Sequence, residues 1–191
     1  MVDAGNGAEL IKKILMTLSK TETKTLGDAI KNIKTCMLTT SKNGVLHSRP
    51  MAIVQDDFKE YLYLYTKKEE AKVNELLEHP NICISFCDHK NHEHVSISGV
   101  CIISHSEDLI DKYWSPFVAA WFPNGKKSAA IIACKVEKAE IWDCETSAMK
   151  VLYELAKANL THKEPNIGKN IKLGQVDIDL KPSTISTQIQ Q

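Results

Sequence analysis

A set of short apolar runs, separated by turn residues, most constrains what this chain can fold into. Ile82-Cys83-Ile84, Val100-Cys101-Ile102-Ile103 and Ala129-Ala130-Ile131-Ile132-Ala133 lack the alternation of a sheet with one wet face. Strands of that kind need cover on both sides. Tyr61 to Thr66 instead alternates Tyr, Leu and Thr with the period of two expected of a strand. Asn43-Gly44 is a strong hairpin signal between Cys36–Thr40 and Val45–Val54, both of which read as extended. Ile82 to Cys87 and Val95 to Ser104 are read as strands joined by a polar, His-rich turn, and Ser128 to Trp142 as a long strand with room for a bulge.

Helical spacing is expected over Ala8 to Lys20, with Leu10, Ile11, Ile14, Leu15 and Leu18 on one face, and more weakly over Lys24 to Lys34. Thr66-Lys67-Lys68-Glu69 has the form of a capping box. It predicts a helix with Val73, Leu76 and Leu77 on one face, ending before Pro80. Ser106 to Phe117 and Thr146 to Asn159 are further helical candidates. Antiparallel strands at short spacing, with helices at the ends and in the connections, imply a mainly β fold with α (α+β). A closed or nearly closed antiparallel barrel with peripheral helices fits better than a βαβ sheet. Residues 1–34 are expected to form a helical segment packed on the barrel, 35–160 the barrel domain, and 161–191 a C-terminal extension. Its last ~10 residues are expected to be disordered.

The 191 residues suit one domain. Lys plus Arg equals Asp plus Glu at 24 each, so no global field attracts nucleic acid or an anionic membrane. No run approaches the roughly 20 apolar residues of a membrane span, and Met1 to Gly7 lacks a signal-peptide pattern. The six cysteines contain no C-x-x-C pair. A reducing, cytoplasmic protein without structural disulfides is expected.

Three constellations are candidates for chemistry. The first joins His47-Ser48-Arg49-Pro50-Met51 to Leu64-Tyr65-Thr66 and to Lys67, Lys68 and Lys72 at a helix start. A helix N-terminus with a Lys and an Arg nearby favours an anion such as a phosphate. Glu69 and Glu70 oppose that field, and an ordinary solvated helix start is the competing reading. The second is Cys83, Cys87, His89, His92 and His94. Two cysteines four residues apart on one strand lie roughly 13 Å apart, whereas zinc needs its sulfurs within about 4 Å. A solvated turn is the better reading, and no structural metal is expected. The third is aromatic. Trp114 and Phe117 read as packing residues, while Trp121-Phe122-Pro123 must turn and can cover a planar ring or anchor a subunit interface. Nucleotide, P-loop, nucleophile-elbow and zincin motifs are absent from the sequence.

Met37-Leu38-Thr39-Thr40, Asn43-Gly44, Ser48-Arg49-Pro50-Met51, Leu64-Tyr65-Thr66, Lys72 and Pro80 occur in order, followed by Val95-Ser96-Ile97-Ser98-Gly99 and Ala120-Trp121-Phe122-Pro123-x-Gly125. Over roughly residues 25 to 145 the chain resembles the general-stress-protein branch of the pyridoxamine 5'-phosphate oxidase-like flavoproteins. The resemblance implies a homodimeric split β-barrel with FMN in each of two interfacial clefts. It assigns Arg49 and Lys72 to the FMN phosphate, and Pro50 and Met51 to the strand under the flavin. Tyr65 and Thr66 fall on the adjacent strand end, and Trp121 comes from the partner subunit. It names no catalytic residue, although His47 and Tyr65 are near the site in sequence. Ala71 stands where the oxidase has a second phosphate-binding Arg, and the oxidase's C-terminal Arg-x-His-x-Arg segment is absent. Both departures argue against pyridoxamine phosphate as substrate. The leading expectation is a flavin-dependent oxidoreductase with a stress-related role. The alternatives are a non-catalytic flavin-binding or flavin-buffering protein and an empty barrel serving as an interaction module.

Overall fold

The computed structural model describes residues 18–144, 148–166 and 168–174. Nearly all of the expected helix over Ala8 to Lys20 and the expected terminal disorder lie outside these residues.

Helix α1 spans Lys20–Ile30. It starts four residues before the expected Lys24 because Ser19 and Glu22 form a capping box. The Glu22 amide donates to Ser19 Oγ (3.3 Å), and the Ser19 amide donates to Glu22 Oε2 (2.8 Å). Leu26 and Ile30 on its inner face are buried in the core.

Strands β1 (Thr35–Lys42) and β2 (Val45–Ala52) form the expected hairpin, closed by Asn43 and Gly44, both at positive φ. The remaining strands are β3 (Tyr61–Lys67), β4 (Asn81–Asp88), β5 (Glu93–Ser104), β6 (Ala129–Cys144) and β7 (Gly168–Leu173). They run β2-β1-β4-β5-β6-β3 in one antiparallel sheet, with β7 also on β6. Ile53 bridges to Leu64, so the sheet curls until the end of the first hairpin touches β3. The result is an antiparallel split barrel, mainly β with peripheral helices, as expected. Its interior is filled by alternate residues: Cys36 and Leu38, Leu62 and Leu64, Ile82, Ile84 and Phe86, Val95 and Ile97.

Helix α2 (Ala71–Glu78) packs on β1 and β5 and sends Val73 and Leu76 inward. Two features of the capping-box expectation are corrected. Thr66 remains in β3, and Glu70 is the N-cap without a side-chain cap bond, because the strand runs on to Lys67 and a turn intervenes. Leu77 is exposed, and its expected place on the buried face is taken by Glu75. The single helix expected from Ser106 to Phe117 is two: α3 (Glu107–Tyr113) and α4 (Pro116–Ala119). Pro116 at the first turn of α4 cannot continue α3, and Ser115 Oγ accepts from the Val118 amide to start the new helix. Helix α5 covers Ala148–Thr161.

Strand β6 organises the sheet. Its first half pairs with β3, its second half with β7, and nearly all of it with β5. The residues from Ala129 to Cys134 are buried on both faces, as their unbroken apolar run implies. The inner face lines the barrel, and the outer face is covered near Ala129 by Val118, Phe122, Val54, Tyr65 and Trp114. The same expectation fails in β5, where Ile102 is exposed and the strand alternates. Phe117 is exposed as well, so only Trp114 of the two expected packing aromatics is packed. Strand β7 falls within the expected C-terminal extension, for which no strand was expected. Only Leu173 on it is buried, so its sequence shows little apolar pattern.

The expectation of no structural disulfide is overturned. Cys101 and Cys134 face each other across β5 and β6, with Cα atoms 4.2 Å apart, and their sulfurs are joined. Nothing in the spacing of two cysteines 33 residues apart indicates that the sheet makes them direct partners.

The expected bulge in β6 is present. Ser98 pairs with Lys138 but Gly99 with Val136, which leaves Glu137 as the extra residue. A Cβ on Gly99 would stand 1.9 Å from the Lys135 carbonyl oxygen. Gly99→Ala should therefore displace a backbone rather than a side chain and destabilise by at least about 2 kcal/mol. The urea midpoint checks this; an unchanged midpoint would show that the two strands do not need this close approach.

Candidate functional site

Arg49 is the chain's single arginine. It lies on β2 opposite Leu38, with His47 opposite Thr40. These positions turn the Arg and His side chains to the same side of the hairpin as Thr40. Helix α2 packs against that hairpin and brings Glu75 onto the group. Thr40 Oγ1 donates to Glu75 Oε2 at 2.6 Å, and Arg49 Nη2 donates to the same oxygen at 2.9 Å. Arg49 Nη1 donates to Thr40 Oγ1 at 3.1 Å. His47 Nδ1 lies 3.3 Å from Glu75 Oε1. The Glu75 side chain is only 4% exposed, shielded by the residues that bind it.

Lys72 precedes Glu75 by three residues and so shares its side of the helix. Its side chain is 11% exposed and forms an ion pair with Glu70 Oε2. Thr66, buried at the end of β3, directs Oγ1 at Glu70 Oε2 (3.4 Å) and donates to the Lys67 carbonyl (3.2 Å). Two polar groups therefore lie along α2: Thr40, His47 and Arg49 around Glu75, and Thr66 and Lys72 around Glu70. Arg49 and Lys72 are their cations, and each already has a carboxylate partner, Glu75 and Glu70 respectively.

The expected residues divide into two groups. Lys72 and Thr66 meet at Glu70 just before α2, and Arg49 reaches Glu75 within the helix. Met51 follows Arg49 along β2 and is half-buried against the core, while Pro50 is exposed. Tyr65 points to the opposite face of β3. Its ring stacks edge-on against Trp114 and Phe122, each at 5.8 Å between centroids. Its hydroxyl donates to the Ile110 carbonyl at 2.5 Å. Burial pushes its pKa up to about 12, so the phenol stays protonated and tied to α3. Trp121 is 67% exposed and makes no part of this chain's core, whereas its neighbour Phe122 is buried.

Sequence reasoning missed Thr40 and Glu75. Glu75 carried a signal: it is an acidic residue between Val73 and Leu76 on the apolar face of a predicted helix, where a charge needs a partner.

The remaining constellation stays dispersed. Cys83 lies near Ser96 and Ser85, while Cys87 contacts His89 at 3.7 Å. Asp88 Oδ1 accepts from the amides of Lys90 and Asn91 and shapes the turn between β4 and β5. Among the described residues no group of three or more His, Cys, Asp or Glu side chains is arranged to hold a metal. A groove of about 490 Å³ between Cys36, Cys87, His94 and Trp142 includes none of the expected site residues.

The donor set fits a phosphate group. Arg49 has five N–H donors and shares two bonds with Thr40 and Glu75, leaving others free to point outward. Lys72 supplies an ammonium beside a helix start. The hydroxyl of Thr40, more than any other group, holds the Glu75 carboxyl well below its usual 4.5, at about 2, with Arg49 and His47 adding to the effect. A carboxyl depressed on folding stabilises the fold wherever it is ionised, above about pH 4.5. That contribution is lost as the pH falls through about 2. Glu75→Gln should therefore lower stability at neutral pH by roughly 1–3 kcal/mol. The gap between parent and variant should close as denaturation is repeated at falling pH; a gap that persists at pH 2 would deny Glu75 its charged role.

The model of the family described as pyridoxamine 5'-phosphate oxidase like matches residues 21–166. General stress protein 26 of Bacillus subtilis (strain 168) is 30% identical over 117 residues, which are 60% of this chain and 81% of that protein. Protein bli-3 of Neurospora crassa is 26% identical over 156 residues, 80% of this chain and 71% of that one. Among solved structures, the general stress FMN/FAD binding protein of Xanthomonas citri superposes with a TM-score of 0.58 at 27% identity. The match covers 68% of this chain and 93% of that one. With the barrel, the phosphate-type donor set and a family match over most of its length, the chain belongs to the pyridoxamine 5'-phosphate oxidase-like family.

Proposed function

We propose that this protein binds FMN and acts as a flavin-dependent oxidoreductase with a stress-related role, in the cytoplasm, as a homodimer whose two subunits share each flavin site. The observation that carries the reading is that Arg49 and Lys72 are both held by carboxylates of α2 and the turn before it, Arg49 by Glu75 and Lys72 by Glu70. Two cations from separate elements beside one helix, Lys72 in its first turn, match the terminal phosphate of FMN. Pro50 and Met51 continue from Arg49 along β2, giving the isoalloxazine a strand to lie on. Tyr65 and Thr66 end the neighbouring strand. The flavin, when bound, supplies the electron chemistry, and this chain supplies binding, orientation and shielding from water.

The exposed Trp121 supports a shared site. An indole with two-thirds of its surface in water, beside an equally exposed Phe117, is suited to contact with a second copy. A two-fold axis then delivers Trp121 to the partner's cleft. Ala71 offers no second guanidinium beside Lys72, which supports a role other than pyridoxamine phosphate oxidation. A specific observation also favours the non-catalytic flavin-binding alternative. The Tyr65 hydroxyl is held by the Ile110 carbonyl, so it presents no free acid or base to a substrate.

Flavin titration tests the site. Arg49→Ala and Lys72→Ala should each weaken FMN binding by roughly 1.5–3 kcal/mol and leave riboflavin, which lacks the phosphate, nearly unaffected. Trp121→Ala should weaken both flavins alike and also shift sedimentation toward the monomer. Equal losses for FMN and riboflavin in the Arg49 and Lys72 variants would remove the phosphate assignment, and a monomer that retains FMN would remove the shared site.

The oxidoreductase reading has its own measurement. The flavin-loaded protein should bleach on addition of NADH or NADPH and recover its colour with turnover on an electron acceptor. Yellow protein that neither donor reduces would favour the flavin-holding alternative.

A further inference from the structure

The two carboxylates that accompany the cations differ in how firmly they are held. Glu75 accepts from Thr40 and Arg49, lies beside His47, and is covered by them. Glu70 sits in the turn before α2, its side chain 38% exposed, and makes no cap bond to the helix. Its Oε2 nevertheless meets both the Lys72 ammonium and the Thr66 hydroxyl. That oxygen occupies the place that an anionic ligand's oxygen would take, between an ammonium, a buried hydroxyl and the start of a helix. Glu69 is the other acidic side chain of this turn and is exposed, with Lys67 and Lys68 also facing solvent.

We propose that Glu70 is a built-in competitor for the anion site. Its carboxylate closes on Lys72 and Thr66 when no ligand phosphate is present and swings into water when one binds, while Glu75 stays in place as the strut that aims Arg49. The proposal rests on the phosphate reading above and adds to it a device that tempers the affinity for the anion. A ligand without an anionic group leaves Glu70 in place, so the competition weakens the binding of FMN and not that of riboflavin. The swing is open to Glu70 and closed to Glu75 for a physical reason. Glu70 can replace its lost partners with water, whereas removing Glu75 would leave buried donors on Thr40 and Arg49 unsatisfied.

The test uses the full chain, with FMN and riboflavin as probes at low ionic strength, and reads the ratio of their dissociation constants. Glu70→Gln should raise the preference for FMN by about fivefold, the factor that accompanies loss of one partly exposed charge interaction. Glu70→Ser, which places a good N-cap residue at the start of α2 and so protects the fold, should do the same. Glu75→Gln should lower the preference, because Arg49 loses its anchor. If the parent prefers FMN and neither Glu70 variant changes that preference, the competitor role is wrong and the phosphate site stands. If all three variants raise the preference alike, the effect is one of general charge, and the division between competitor and strut is overturned. If the parent binds FMN and riboflavin equally, the phosphate reading fails and the proposal with it.

Discussion

The ladder along β6 is the constraint on which the rest depends. One strand carries β5 along nearly its whole length, β3 on its first half and β7 on its second. A flat strand cannot serve three partners and still curl the sheet back to the Ile53–Leu64 contact. The extra residue at Glu137 supplies the bend, since a bulge increases local twist. Gly99 permits it, because the opposing carbonyl lies where any Cβ would be. The bend leaves β3 at the open edge of the barrel, and the turn after β3 sets where α2 begins. The candidate site is therefore a consequence of the barrel's closure, not an independent loop device.

The ends of the sheet are tied by single polar groups with two duties. Glu22 caps α1 through Ser19 and accepts from the Gly174 amide at 2.9 Å, joining the first described helix to the end of β7. Gln55 does the same between β2 and β3. Its amide donates to the Tyr61 carbonyl (2.6 Å), and its carbonyl accepts from the Tyr63 amide (2.9 Å). That side chain is buried and supplies hydrogen bonds where the two edges are joined by little more than one bridge. The barrel is split because side chains complete its seam.

Charge balance shapes the candidate site more than charge excess. The chain carries equal numbers of basic and acidic residues, and the site repeats that balance locally with Arg49 and Lys72 against Glu75 and Glu70. Pre-paired cations are oriented before a ligand arrives, which reduces the ordering that binding requires. The same pairing weakens the attraction for a passing anion. On the proposed reading, selectivity for an anion rests on hydrogen-bond geometry rather than on net field, because the chain has no global electrostatic bias.

Much of this was legible in the sequence. The β1–β2 hairpin followed from Asn43-Gly44, whose positive φ values few other pairs adopt. The double-sided burial of β6 followed from its unbroken apolar run, and Arg49, Lys72 and Thr66 were marked as candidates by a local pattern of cations and a strand end. These depend on neighbours within a few residues, so the order of residues determines them. What only the tertiary structure decided involves residues far apart in the chain. The Cys101–Cys134 pairing depends on the register of β5 against β6. The seat of Glu75 depends on α2 landing across β1, 35 residues from Thr40. The turning of Tyr65 away from the cations depends on which face of β3 the barrel encloses. Local propensity is blind to such contacts because their energy exists only once the sheet has closed.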